Sequence, residues 1–145
     1  MKKFKHATAK AATNMHRAAF DVSKGHIAGK VAGLPVLKLT TIGRKSGQSR
    51  NTMLAAALQD ARRIILVASN RGADSHPAWY LNLRDRPRVT VTMKGGRWPM
   101  VARTATSAEK AKLWPQIVSA GPGYGDYQMT TDRDLPVVIL EPETV

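Results

Sequence analysis

The chain has no cysteine among its 145 residues, so disulfides, thiolate nucleophiles and cysteine-held zinc or iron–sulfur clusters are excluded together. Long apolar runs are missing too. The longest, 53–58 and 64–68, fall far short of the roughly 20 residues that a membrane-spanning helix needs. The basic N-terminus leads into no apolar stretch of the secretory kind, and the expectation is a cytoplasmic protein. Aromatic residues are scarce at 6% and are not interleaved with the basic ones, which argues against a stacking platform for single-stranded nucleic acid. Acids are nearly absent from the first third: residues 1–50 carry eleven Lys and Arg against Asp21 alone, whereas residues 51–145 carry twelve against nine acids. The net charge of +13 is therefore weighted to one part of the chain. It suits an anionic partner, whether nucleic acid, an anionic lipid surface or a polyanionic small molecule.

The rest of the composition is that of a globular domain, with 43% hydrophobic and 23% charged residues. A chain of this length buries about 68–70% of its unfolded surface, enough for one core. Over residues 4–22, Phe4, Ala7, Ala11, Met15, Ala18 and Val22 recur at helical spacing, with Lys3, Lys10, Arg17 and Lys24 opposite. This predicts a basic amphipathic helix that either lays an Ala-rich stripe over the core or lies on a membrane surface. With the glycines that follow, it forms an N-terminal unit over 1–32, ahead of a domain over 33–145. From there, β-rich segments at 36–42, 52–58, 63–69, 88–94, 97–104 and 136–140 alternate with short connections, and Gly95-Gly96 reads as a hairpin turn. Antiparallel neighbours follow, in a barrel or a sandwich. A helix opens at Pro77, and Thr106-Ser107-Ala108-Glu109 has capping-box spacing ahead of Leu113, Trp114, Ile117 and Val118. The fold class is mainly β with α.

Three stretches can carry chemistry. Gly43-Arg44-Lys45-Ser46-Gly47, followed by Arg50, puts three cations, a hydroxyl and two glycines between two strands. Such a loop can cradle a phosphate or carboxylate, because glycines let backbone N–H groups approach an anion and Arg supplies a matching fork; a solvated hairpin turn has the same composition. Ala68-Ser69-Asn70-Arg71-Gly72 leaves a buried strand just before His76, Trp79 and Tyr80, a mixture of small polar and aromatic groups that lines small-molecule pockets and also suits a turn over a core-facing Trp. Tyr124 and Tyr127 stand three apart on a glycine-rich turn, where their hydroxyls can donate to a charge that develops on an acceptor or can simply close the barrel. His6, His16 and His26 lack metal-ligand spacing, and no metal site is expected.

Taken in order, Gly33-Leu34-Pro35-Val36, Thr40-Thr41-Ile42 with the basic loop, Ala68-Ser69, His76-Pro77-Ala78-Trp79-Tyr80-Leu81-Asn82-Leu83, Tyr124 to Gln128, and Thr131-Asp132-Arg133-Asp134-Leu135-Pro136-Val137 resemble the deazaflavin-dependent nitroreductase family over roughly residues 33–142. The resemblance implies a split β-barrel, flavin-reductase-like, that holds coenzyme F420 and passes its hydride to a small-molecule acceptor such as a quinone or nitro compound. It implies coenzyme contacts from Arg44, Lys45, Ser46, Gly47, Arg50, Ala68, Ser69, Asn70, His76, Trp79 and Tyr80, and catalytic roles for Tyr124, Tyr127 and Ser69. Two positions depart from the family pattern. Lysine is common there where this chain has Asn70, and the first tyrosine of a Tyr-Pro-x-Tyr-x-x-Tyr arrangement is here Gly121, which implies a more open acceptor pocket.

A deazaflavin brings its own hydride, so the protein need only bind, orient and tune it, and no strong catalytic dyad is required. Three rivals are separable by simple observations. A carrier of the same coenzyme would bind it without turnover. A flavin-mononucleotide barrel would be stabilised by the other cofactor. A basic membrane- or nucleic-acid-binding module would lose polyanion affinity steeply with salt. The reductase expectation carries no nucleic-acid partner, keeps peripheral contact with the inner face of an anionic membrane, and leaves the oligomeric state open.

Overall fold

A computed structural model of the protein describes residues 30–31, 33–121 and 123–143; the helix expected over 4–22 lies outside them. The chain runs through β1 (Lys30–Val31), β2 (Leu34–Ile42), β3 (Ser49–Ala55), β4 (Leu58–Gln59) and β5 (Ile64–Val67) to a 3-10 turn (Asn70–Gly72). There follow α1 (Ala78–Asp85), β6 (Arg88–Met93), β7 (Gly96–Thr104), α2 (Ser107–Ala120), α3 (Tyr124–Met129) and β8 (Val137–Pro142). The strands form one sheet in the order β1-β2-β6-β7-β8-β5-β4, with β3 pairing β2 outside that path. Every pairing among the described residues is antiparallel, and short connections join β1 to β2, β2 to β3, β4 to β5 and β6 to β7. The class is α+β, mainly antiparallel sheet.

Three expected elements differ in detail. The strand expected over 52–58 is two: β3 begins three residues earlier, and the chain breaks at Ala56-Ala57. The cause is a change of partner, since the Ala56 N–H donates to Pro35 O in β2 (2.8 Å) and the next N–H, of Ala57, donates to Ile65 O in β5 (2.9 Å). Two consecutive residues thus join strands that lie far apart in the order above, and the sheet must curl. The hairpin turn expected at Gly95-Gly96 is Lys94-Gly95, both with positive φ, because Met93 and Gly96 form the last paired position and a two-residue turn of this hand needs two left-handed residues. Lys30–Val31 pairs with β2, so the sheet reaches back into the stretch read as part of the N-terminal unit.

The apolar residues divide by sheet face. Leu37, Leu39, Leu66, Leu83, Val91, Val138 and Leu140 belong to the larger cluster, with Trp79 and Tyr80. Ile65, Val67, Val137 and Ile139 belong to a second cluster with Ile117 of α2 and Leu135. Strands β5 and β8 are therefore apolar on both faces, which is why they read as unbroken runs and not as alternating ones. α2 is fixed at its start by the expected capping box: Thr106 Oγ1 accepts from Glu109 N (3.1 Å) and Glu109 Oε1 accepts from Thr106 N (2.9 Å). α3 continues the cover, with Tyr124 and Tyr127 packed on the second cluster.

Candidate functional site

The basic loop between β2 and β3 is a closed turn. Gly43 N donates to Gln48 O and Gly47 N to Gly43 O, each at 2.8 Å. Gly47 sits at φ +71°, a conformation open to glycine at little cost. Ser46 Oγ accepts from Gln48 N and from Arg50 Nη2, both at 3.2 Å, so the hydroxyl organises the turn and holds one of its cations. Arg44, Lys45, Ser46, Gly47 and Arg50 are all exposed. Among the described residues no carboxylate forms an ion pair with Arg44, Lys45 or Arg50. Three cations on one closed turn, without a carboxylate partner among the described residues, have the donor groups that an anion could use.

The loop is tied to α1 by a residue that local pattern did not single out. Asn82, buried at 5% exposure, accepts on Oδ1 from Arg44 N (3.1 Å) and Arg44 Nη1 (3.2 Å) and donates from Nδ2 to Thr41 Oγ1 (3.3 Å). Asn82→Ala is expected to cost about 1–3 kcal/mol of stability, because it strands Thr41 and the Arg44 amide, and to loosen the loop's grip on its anion. A denaturant titration and a coenzyme titration check the two effects.

At the other end of the same helix, which is about 12 Å long, lies the turn after β5. Ala68 is buried, while Ser69 and Asn70 are half-buried. Asn70 and Arg71 both have positive φ, 46° and 54°, and Asn70 Nδ2 donates to Ser75 O (3.1 Å). Ser69 gives no side-chain cap to the 3-10 turn. A second residue outside the sequence expectation holds the turn. Arg133 donates from Nε to Ala73 O (3.1 Å), from Nη1 to Ala68 O (3.1 Å) and to His76 Nδ1 (2.8 Å), and from Nη2 to Ser69 O (2.8 Å). α3 packs beside it, with Thr130 Oγ1 donating to Gly72 O (3.2 Å).

A family model described as F420H(2)-dependent quinone reductase matches residues 12–142. The chain belongs to the F420H(2)-dependent quinone reductase family. It is 34% identical over 131 residues to an F420H(2)-dependent quinone reductase of Mycobacterium tuberculosis (strain ATCC 25618 / H37Rv), covering 87% of each chain. Among solved structures it resembles an F420-H2 dependent reductase at 36% identity and TM-score 0.67, over 74% of this chain and 94% of that one. A structure described as a domain-swapped dimer matches at 31% identity and TM-score 0.68, over 88% and 96%.

Within this quinone reductase family member, the residues singled out from the sequence fall into three places. Arg44, Lys45, Ser46, Gly47 and Arg50 form the cationic turn. Ala68, Ser69, Asn70 and His76 form the Arg133-braced turn, and Tyr127 of α3 adjoins it, because a Cβ on Gly72 would lie 2.9 Å from Tyr127 O. Trp79 and Tyr80 instead point into the larger core, at 9% and 4% exposure. The Tyr80 hydroxyl is engaged by Thr104 Oγ1 at 2.8 Å and its ring supports His76, with centroids 4.9 Å apart. Tyr124 and Tyr127 lie on a short helix and not on an open turn, with rings edge-to-face at 6.5 Å. Burial, and then the neighbouring Tyr127, raise the Tyr124 phenol above its usual range, so it keeps its proton. At Gly121 a Cβ would overlap the Tyr124 ring and come within 3.1 Å of a Leu34 methyl. Tyr124 fills that space.

Proposed function

We propose that this chain is a reductase that binds coenzyme F420 between the cationic turn and the Arg133-braced turn and reduces quinones. The observation that carries the reading is the placement of α1: through Asn82 it holds the cationic turn, which has no acid partner among the described residues, and it starts two residues after His76, which Arg133 ties to the Ser69 turn. The donor set fits the coenzyme. Arg44, Lys45 and Arg50 suit its phosphate and polyglutamate tail; Ser69 and Asn70 suit the ring, whose bound form supplies the hydride. The side chains bind and orient, and the hydroxyls of Tyr124 and Tyr127, on the helix that packs beside the ring-side turn, donate to an acceptor oxygen that gains charge. The curled sheet, stitched at Ala56-Ala57, supports a split β-barrel. Nitro compounds are a second acceptor class for the same donors.

No helix among the described residues is long and apolar enough to cross a membrane. The basic residues of the first third suit peripheral contact with an anionic membrane surface from the cytoplasm. Titrating the purified protein with F420 and, separately, with flavin mononucleotide, then following oxidation of bound F420H2 by a small quinone, tests the reading. Saturable F420 binding with quinone-dependent oxidation is expected. Binding without oxidation would make the protein a carrier, and preference for the flavin would overturn the coenzyme assignment.

A further inference from the structure

Arg133 uses four of its five N–H donors on the turn between β5 and α1: one on each of three backbone carbonyls and the fourth on His76 Nδ1, at 2.8 Å. A guanidinium has no acceptor to offer. The nitrogen that faces it must therefore present a lone pair, and the imidazole proton must sit on Nε2. We propose that Arg133 is a positioning residue that fixes His76 as the neutral tautomer with its proton on Nε2, so that His76 offers a hydrogen-bond donor, and never an acceptor or base, to the quinone oxygen that gains charge during reduction.

The surroundings of His76 agree from every side. Arg133 faces it from the segment before β8, Arg84 adds a second positive charge from α1, and Tyr80 of the same helix lies against its ring. Asp74, on its own turn, is engaged by Thr131 Oγ1 at 3.0 Å. Burial first, then the charges of Arg133 and Arg84, lower the tendency of His76 to take a second proton. His76 is half-buried, and its only hydrogen bond among the described residues is the one at Nδ1. A ring held in one tautomer by a guanidinium that can only donate, with no described residue bonded to its other nitrogen, is a preorganised donor. Arg133 is itself held from behind: Gln128 Nε2 donates to Arg133 O (2.8 Å), and Gln128 Oε1 accepts from Lys110 Nζ of α2 (3.2 Å) and from Leu135 N (3.0 Å).

The proposal rests on the quinone reductase reading, and its test separates the two. Nitrogen-15 spectra of the histidine rings in the full chain, without coenzyme, report the tautomer directly; the His76 signals are those missing from His76→Gln. The Nε2–H form is expected through neutral pH in the wild type. Arg133→Gln is expected to mix the tautomers and to let His76 protonate at higher pH, and Arg133→Lys, which keeps the charge but not the fork, is the second variant should the first fail to fold. An Nδ1–H form in the wild type, or one unchanged by both substitutions, would overturn the positioning role. For the donor role, Gln puts an amide N–H where Nε2 stood, whereas Asn puts its oxygen where Nδ1 stood and keeps Arg133 satisfied. With quinone as acceptor, kcat is expected to be about tenfold or more lower in His76→Asn than in His76→Gln, a gap wider than any the two variants show in Kd for F420. Equal kcat in the two variants, or a loss confined to Kd, would overturn it. A wild type that binds no F420 would instead overturn the functional reading, while leaving the tautomer measurement intact.

Discussion

Replacing Arg44 and Lys45 together with alanine should weaken F420 binding by about a hundredfold. A hydrogen bond to a charged group contributes roughly 1.5–3 kcal/mol. Both side chains are exposed, where screening by water and salt favours the lower figure, so the two together are expected to be worth about 3 kcal/mol, or two decades in Kd. The fold should survive, because the Arg44 backbone amide keeps its bond to Asn82 in the variant. Salt supplies the control. Wild-type affinity should fall as ionic strength rises past about 0.1 M, where the Debye length is about 10 Å, and the double variant should respond less. An unchanged Kd in the double variant would remove the cationic turn from the site.

Turnover with a quinone should fall about ten- to a hundredfold in Tyr124→Phe and in Tyr127→Phe, while the Kd for F420 stays nearly constant, as for the loss of one donor to a developing oxyanion. Phenylalanine keeps the ring packing on the second cluster, in which both residues take part, so folding is held fixed while one oxygen is removed. The raised Tyr124 phenol has a further corollary: the hydroxyl is a donor throughout the neutral range, and no alkaline limb below its usual pH range should be traced to it. Gly121→Tyr is expected to behave differently from a simple narrowing of the pocket, because the Tyr124 ring occupies the space above Gly121. It should displace Tyr124 and lower the melting temperature. Normal quinone rates in both Phe variants would leave the two tyrosines as packing residues only.

What could be read in the sequence was what is decided locally. The capping box joins Thr106 and Glu109, three positions apart, the unbroken apolar run of β5 reflects burial on both faces, and the cationic turn closes through its own glycines and Ser46. What could not be read depends on partners far along the chain. Asn82 and Arg44 are 38 positions apart, and Arg133 reaches Ala68 across 65; nothing in the residues around either marks its partner. The helix at Tyr124–Met129 was hidden for another reason. Six residues starting after a left-handed Gly123 are too few to be helical on their own, and this segment is held by Tyr124 and Tyr127, which pack on the second apolar cluster. The break at Ala56-Ala57 was invisible because alanine carries no signal of a change in hydrogen-bond partner.

The stitch at Ala56-Ala57 also bears on how the molecule coexists with its own copies. Sheets aggregate through edge strands that offer unpaired N–H and C=O groups, and natural proteins shorten such edges or place charges on them. Here β4 is two residues long, and the chain passes from β3 to β4 through amides that both find partners inside the same sheet. The other exposed start of β3 is Ser49-Arg50-Asn51, with a cation at its centre. Arg50 thus guards a seam as well as belonging to the proposed anion site, and an apolar residue there would trade solubility along with affinity.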